Sequence, residues 1–181
     1  MENLVNIVKQ FTGNVVCLGV QDGRVLRSLE QNKQVNVYTI ERSRGKSIFS
    51  RKKKAHVKES KGKKVNMKKL RKTFKKKSVD YIVCDINEIY DYFKYFIYDS
   101  VVINNKKLYL YGESKYIDPK VLSKRFERYH AKVTIIESST TQFLLVVDNV
   151  ESRGNWFQSK WYIIIDTFHN IGDMISAALI S

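Results

Sequence analysis

Chemistry in this sequence concentrates first in its charge. Between Arg42 and Lys77 stand 18 lysines and arginines against a single acid, Glu59, while the rest of the chain sets 15 against 17 acids. The net charge of +15 therefore belongs to one polycationic segment on a near-neutral body. Like charges at that density repel unless water, salt or a polyanion neutralises them. Arg51, Lys52, Lys53, Lys54, Lys68, Lys72, Lys75, Lys76 and Lys77 are the residues expected to hold a phosphate backbone. Lysine outnumbers arginine there, which favours diffuse backbone contact over bidentate base reading. Phe49 and Phe74 are its only aromatics, so little stacking on bases is expected. Binding of this kind tolerates sequence and weakens steeply with salt. A solvated lysine-rich loop is the plain alternative. A membrane surface fits less well, because neither Trp nor clustered large apolar residues accompany the charge.

A second set of residues is sparser. Gly19 and Gly23 follow an apolar run, where glycines allow tight turning and close approach of a ligand. Glu41 and Asp85 each close an apolar run with a carboxylate, a group that only accepts hydrogen bonds when ionised. Other chemistries find little support. Cys17 and Cys84, the only cysteines, sit inside apolar runs, which points to a reducing, intracellular setting rather than a disulfide scaffold. His56, His130 and His169 are scattered and pair with neither cysteine at ligand spacing, so no metal site is expected. No signal peptide and no spanning helix are expected either. Arg51 to Lys54 could serve as a nuclear address in a eukaryotic or viral setting.

The elements that must position these residues follow from hydrophobic spacing. Leu4, Val5, Val8 and Phe11 repeat as a helix that Gly13 can end. Asn14 to Val20 is a short continuous apolar run, as in a strand buried on both faces. Val25, Leu26 and Leu29 form a helical face, and Val35 to Ile40 a second strand. Met67, Leu70 and Phe74 give the end of the basic segment, about 65–77, one apolar helical stripe. Val79 to Cys84 is a strand ending at Asp85, a Tyr/Phe-rich helix runs from about Asn87 to Asp99, and Lys107 to Tyr111 is a strand that Gly112 turns. Pro119 suits a helix first turn, with Val121, Leu122 and Phe126 as its apolar face. Lys132 to Ile136 and Phe143 to Val147 are strands joined by six residues, enough for a hairpin and too few for a crossover helix. Alternating strands and helices imply an α/β fold, a mostly parallel sheet covered on both faces and closed by an antiparallel hairpin.

This order, with the motif from Cys17 to Gly23 and the strand-end acids, resembles class I S-adenosylmethionine-dependent methyltransferases, a Rossmann-like family whose last strand is antiparallel. The resemblance covers roughly residues 3–150. It implies S-adenosylmethionine as cofactor, with Gly19 and Gly23 in the first turn and Glu41 accepting from the ribose hydroxyls. It also implies Asp85 at the transfer site, orienting or deprotonating the nucleophile. The sequence departs from the family pattern in three places: Cys17 stands where an acid is usual, Gln21 replaces the middle glycine, and Asp85 to Glu88 lacks the prolines and aromatic of amino-methylating members. The stretch from Lys107 to Val147, with its Gly112 to Lys115 turn, also looks like ribosomal RNA guanine methyltransferases. Three readings stay open: a methyltransferase acting on nucleic acid, RNA above DNA; a non-catalytic nucleic-acid-binding subunit on the same fold; and a Rossmann-like domain for another nucleotide.

Residues 1–150 are expected to form the α/β domain, with the basic segment 42–77 lying between the second strand and the strand that ends at Asp85 and flanking the cofactor position. Residues 151–181 form a tail. In it Phe157, Trp161, Ile164, Phe168, Ile171, Ile175 and Ala178 recur with a period near 3.5 residues, a stripe that needs a covering surface. Its own sheet, a second copy and another protein are the candidates. Trp161 to Ile165 could alternatively be a strand.

Overall fold

A computed structural model describes residues 2–40, 70–89, 93–115, 117–127, 131–139 and 141–148. Glu41, the basic segment as far as residue 69 and the tail 149–181 lie outside the described residues. The elements run α1 (Glu2–Val8), β1 (Gly13–Leu18), α2 (Gly23–Gln31), β2 (Val35–Ile40), α3 (Leu70–Thr73), β3 (Val79–Asp85), α4 (Ile86–Ile89), α5 (Phe93–Ile103), β4 (Asn104–Glu113), α6 (Pro119–Glu127), β5 (Lys132–Ser138) and β6 (Gln142–Asp148). Among the described residues one six-stranded sheet has the order β2-β1-β3-β4-β6-β5. Strands β2, β1, β3 and β4 pair in parallel, and β6 runs antiparallel between β4 and β5. The expected mostly parallel sheet with a closing hairpin is the observed architecture.

The apolar runs form central strands because both faces are covered. Val15 and Cys17 point to one layer with Leu4 and Val8 from α1, Val25 and Leu29 from α2, and Phe11 from the connection after α1. Val16 and Leu18 point to the other, with Leu70, Ile97, Leu122 and Phe126 from α3, α5 and α6. Residues 15–18 are all buried, as a strand in a doubly covered parallel sheet requires. Strand β5 is the contrast: it forms one edge, and Ile135 and Ile136 remain 40% and 44% exposed. Helix α6 begins as its residues dictate, Pro119 at the first position and Asp118 accepting from Lys120 N at 2.8 Å. Leu70 and Phe74 are buried, Phe74 edge-on to Tyr38 at 5.3 Å, so these two residues of the apolar stripe dock on the body.

Several boundaries differ from the sequence reading. Gly13 opens β1 rather than ending α1, which stops at Val8. Its φ is +88°, and the Asp80 carboxylate occupies the place a side chain would take while accepting from Asn14 N at 2.9 Å. Gly112 does not turn the chain. It lies within β4, paired with Phe143, and Ile86 and Asn87 fill the space its missing Cβ leaves. The expected helix 87–99 is described as α4, which begins at Ile86, and α5, which continues to Ile103. The helix expected over 65–77 is described only as α3, and Lys77, at φ +55°, lies past its end. No helix among the described residues is long and apolar enough to cross a membrane.

Candidate functional site

In an open parallel sheet the carboxyl ends of the strands meet where the connecting helices leave a crevice. Here β1, β3 and β4 end together, and a cleft of about 260 Å³ opens over them. Asp22, Arg24, Asp85, Asn87, Tyr111 and Glu113 line it from these three strand ends, and Glu137, Gln142, Phe143 and Leu144 from the hairpin. Asp85 is the last residue of β3 and pairs in register with Tyr111 of β4, which brings the two side chains together. Helix α4 starts at once, so Asn87 N donates to Asp85 Oδ1 at 3.0 Å, and Asn87 Oδ1 accepts from Glu113 N at 3.3 Å. These bonds tie the strand-end aspartate to the neighbouring strand.

The electrostatics of the cleft are acidic. Burial pushes the Asp85 carboxyl up to about 6, with Glu88 and Glu113 adding to the rise and the Asn87 amide and Tyr111 hydroxyl opposing it. Tyr111 is 6% exposed, and its hydroxyl, though near Asp85, makes no hydrogen bond of standard geometry. Burial also raises the tyrosine's own pKa. Asp22 caps α2 by accepting from Arg24 N at 2.8 Å, and the Arg24 guanidinium, 3.0 Å away, holds its carboxyl below the usual range. On the rim, Lys115 pairs with Glu113 at 2.6 Å. Among the described residues, no three His, Cys, Asp or Glu side chains are grouped to hold a metal ion.

The structure brings some of the sequence-derived site residues together and separates others. Asp85 is in the cleft. Gly19 leaves β1 at φ +64°, and the place of its missing side chain is taken by Glu88 of α4. Gly23 is the first residue of α2, flanked by Asp22 and Arg24, which do line the cleft. Cys17, standing at the family's acidic position, is buried with its thiol pushed up to about 12, so it offers the cleft no charge. Glu41, Arg51, Lys52, Lys53, Lys54 and Lys68 lie outside the described residues. Lys72 is on α3. Lys75, Lys76 and Lys77 precede β3, with Lys77 N donating to Val102 O. They therefore stand at the amino end of the sheet, a strand length of roughly 20 Å from Asp85, and do not flank the cleft.

Sequence reasoning missed Asp22, Tyr111, Glu113, Glu137 and Gln142. Asp22 carried a signal, an acid directly before Gly23 in the first turn. Glu137 and Gln142 carried none, because antiparallel pairing of β6 with β4 swings the hairpin tip over the strand ends.

No protein-family model matches the chain, and no curated protein matches it by sequence. Solved structures do match in shape. A SAM-dependent methyltransferase from Aquifex aeolicus aligns with a TM-score of 0.60 at 12% identity, over 82% of this chain and 89% of that one. The T. thermophilus 16S rRNA N2 methyltransferase RsmC, in complex with AdoMet and guanosine, aligns with a TM-score of 0.53 at 10% identity, over 84% of this chain and only 40% of that one. The fibrillarin pre-rRNA processing protein of Methanococcus jannaschii aligns with a TM-score of 0.52 at 14% identity, over 78% of this chain and 68% of that one. At such identities the likeness establishes architecture: this chain has the Rossmann-like fold of class I S-adenosylmethionine-dependent methyltransferases.

Proposed function

We propose that this chain transfers a methyl group from S-adenosylmethionine to a nucleic acid, RNA above DNA. The observation that carries the proposal is the placement of Asp85, a half-buried carboxyl held near neutrality at the end of β3, in a cleft over the strand ends. A general base works best when its pKa lies close to the working pH, and one of about 6 satisfies that. Asp85 would orient the acceptor atom and take up its proton.

The donor set fits the cofactor. When bound, S-adenosylmethionine supplies an electrophilic methyl on a sulfonium, and both the sulfonium and the amino-acid ammonium are cations suited to a cleft rich in carboxylates. Asp22 replaces the acid that Cys17 cannot provide and would meet the ammonium. Gly19 and Gly23 would shape the first turn, and Glu41 would accept from the ribose. The polycationic segment supplies the phosphate contacts. RNA is favoured because two of the similar structures are named for ribosomal RNA methylation and pre-rRNA processing.

One observation favours a second reading. Glu88 occupies the space beside Gly19, where a cofactor would approach the glycine turn. A chain whose turn is filled in this way would be a nucleic-acid-binding subunit without catalysis. Calorimetric titration of the full chain with S-adenosylmethionine separates the two. The methyltransferase reading expects saturable heat, weakened by Asp22→Asn. A folded protein that evolves no heat at millimolar cofactor overturns the methyltransferase reading.

A further inference from the structure

We propose that the amino end of the sheet, the pole opposite the cleft, is a docking surface for the phosphate backbone of a nucleic-acid duplex. This rests on the reading of the chain as acting on nucleic acid, and it says where the polymer is gripped and which part of it stays out of the cleft.

Lysines from outside the polycationic segment gather there with its last members. The parallel strands all begin at this end. Lys9 and Lys33 precede β1 and β2, and Asn32 Nδ2 joins their loops by donating to Lys9 O at 3.2 Å and to Phe11 O at 2.9 Å. Lys75 and Lys76 precede β3, Lys106 and Lys107 lie near the start of β4, and Lys132 opens β5. Asp148, the last residue of antiparallel β6, stands in register between Lys107 and Lys132, so the row continues across the hairpin. Lys9, Lys33, Lys75, Lys76 and Lys132 are exposed and have no ion-pair partner among the described residues. The acids near them are fewer. Asp80 and Asp148 are paired with Lys106 and Lys107 at 3.4 and 3.2 Å, and Glu30 and Asp99 lie near the ends of α2 and α5.

The frame under these lysines is fixed. Asn36 Nδ2 donates to Asn14 Oδ1 at 3.3 Å, Asn14 Nδ2 to Ser78 O at 3.0 Å, and Ser78 Oγ to Lys75 O at 2.7 Å. These bonds tie the lysine-bearing turn before β3 to the starts of β1 and β2. The aromatic side chains here are closed. Phe11 and Phe74 are buried, and Tyr81 stacks on Phe11 at 4.0 Å with Lys106 Nζ over its ring at 5.2 Å. A single strand draws much of its affinity from bases stacked on open aromatic faces, whereas a duplex offers its phosphates and keeps its bases inside.

Charge and spacing agree with a duplex. Asp22, Asp85, Glu113 and Glu137 line the cleft, so a phosphate backbone is repelled at that pole and attracted at this one. Lys33 and Lys132 precede and open the two edge strands of a six-stranded sheet, which at roughly 4.8 Å per strand spacing sets them about 24 Å apart. A duplex presents about 14 phosphate charges over that length. The cleft lies a strand length away, roughly 20 Å, so a nucleotide that enters it is not one of those gripped here.

The test is fluorescence anisotropy of the full chain, without cofactor, on a labelled RNA duplex of about 12 base pairs over a series of salt concentrations. Each lysine that neutralises a phosphate contributes close to one unit, about 0.9 in B-form DNA, to the slope of log affinity against log salt. Combining Lys9→Gln, Lys33→Gln and Lys132→Gln, all outside the polycationic segment, should lower that slope by about 2 to 3 with the melting temperature unchanged. Lys120→Gln, in the first turn of α6 at the other pole, should leave it as it is. Acetylation is the second readout: bound duplex should protect Lys9, Lys33 and Lys132 and leave Lys120 open. No duplex binding, an unchanged slope in the triple variant, or a single strand held as tightly as the duplex overturns the proposal. A lowered melting temperature with an unchanged slope overturns it too, and assigns these lysines to offsetting the helix carboxyl ends at this pole. Binding to phosphatidylserine vesicles but to no duplex overturns it in favour of an anionic membrane. Neither readout uses the cofactor, so a chain that ignores S-adenosylmethionine yet passes both loses the methyltransferase reading and keeps this one. The opposite pair of results loses this inference alone.

Discussion

Asp80 and Asp85 stand at opposite ends of β3, and the same side chain has been put to opposite use. At the amino end Asp80 accepts from Asn14 N at 2.9 Å and from Asn105 Nδ2 at 3.3 Å, and pairs with Lys106 at 3.4 Å. Burial there acts to raise its pKa, but these partners outweigh it and the carboxyl lies below its ordinary value. At the carboxyl end burial is opposed by little more than one backbone amide and a tyrosine hydroxyl, while Glu88 and Glu113 add to the rise. One aspartate is saturated with partners and closes the sheet's end. The other has fewer partners and lies over a cleft, beside the buried Tyr111. A carboxylate left short of partners over a cleft is the one that a ligand can bond.

The largest effect should come from breaking the saturated end. Gly13→Ala forces a side chain into the space held by the Asp80 carboxylate, at a φ of +88° that alanine rarely adopts. Strain and overpacking together should cost about 3 kcal/mol or more, read as a lowered urea midpoint. No loss of stability would mean that Asp80 is free to move aside and is not the fixed strut described.

A smaller loss is expected from Asp80→Ala, about 2 kcal/mol, since it removes the acceptor of two hydrogen bonds and one ion pair. Its sign with pH follows from the lowered pKa. The stabilisation is present above the ordinary carboxyl range and is lost as pH falls through the folded value. The gap between wild type and variant should therefore close in acid, and a gap constant with pH would assign the loss to packing.

The smallest effect belongs to the other end and has the opposite sign. With Asp85 raised to about 6, the folded chain holds a proton between the ordinary range and that value which the unfolded chain has released, so stability falls as pH rises through the window. Asp85→Asn should then stabilise the protein by about 1 kcal/mol at pH 8, after allowance for solvent screening, and by nothing near pH 4. Destabilisation at pH 8 would show that the carboxylate is as well satisfied as Asp80, and the contrast between the two ends would collapse.

Much of the framework was legible along the chain. Residues 14–20 read as a strand buried on both faces and 143–147 as a strand, and residues 15–18 and 143–147 are buried. Pro119 marked the start of α6, and the short connection between β5 and β6 allowed only a hairpin. Asp85 could be placed at a strand end because an apolar run stops there. Gly112 misled, since a glycine after a strand usually turns the chain. Here it continues β4, and the reason is the side chain of Ile86, which precedes it by 26 positions.

The amino-acid order by itself determined the α/β class, the closing hairpin, the carboxylate at the end of β3 and the confinement of positive charge to one segment. These rest on hydrophobic period, connection length and composition, all local properties of the chain. Only the tertiary structure decided that the cleft is acidic, that Lys75, Lys76 and Lys77 stand at the far end of the sheet from it, and that Tyr111 meets Asp85. Those facts depend on strand register and on which groups burial strips of water, and neither is written in the spacing of residues along one strand.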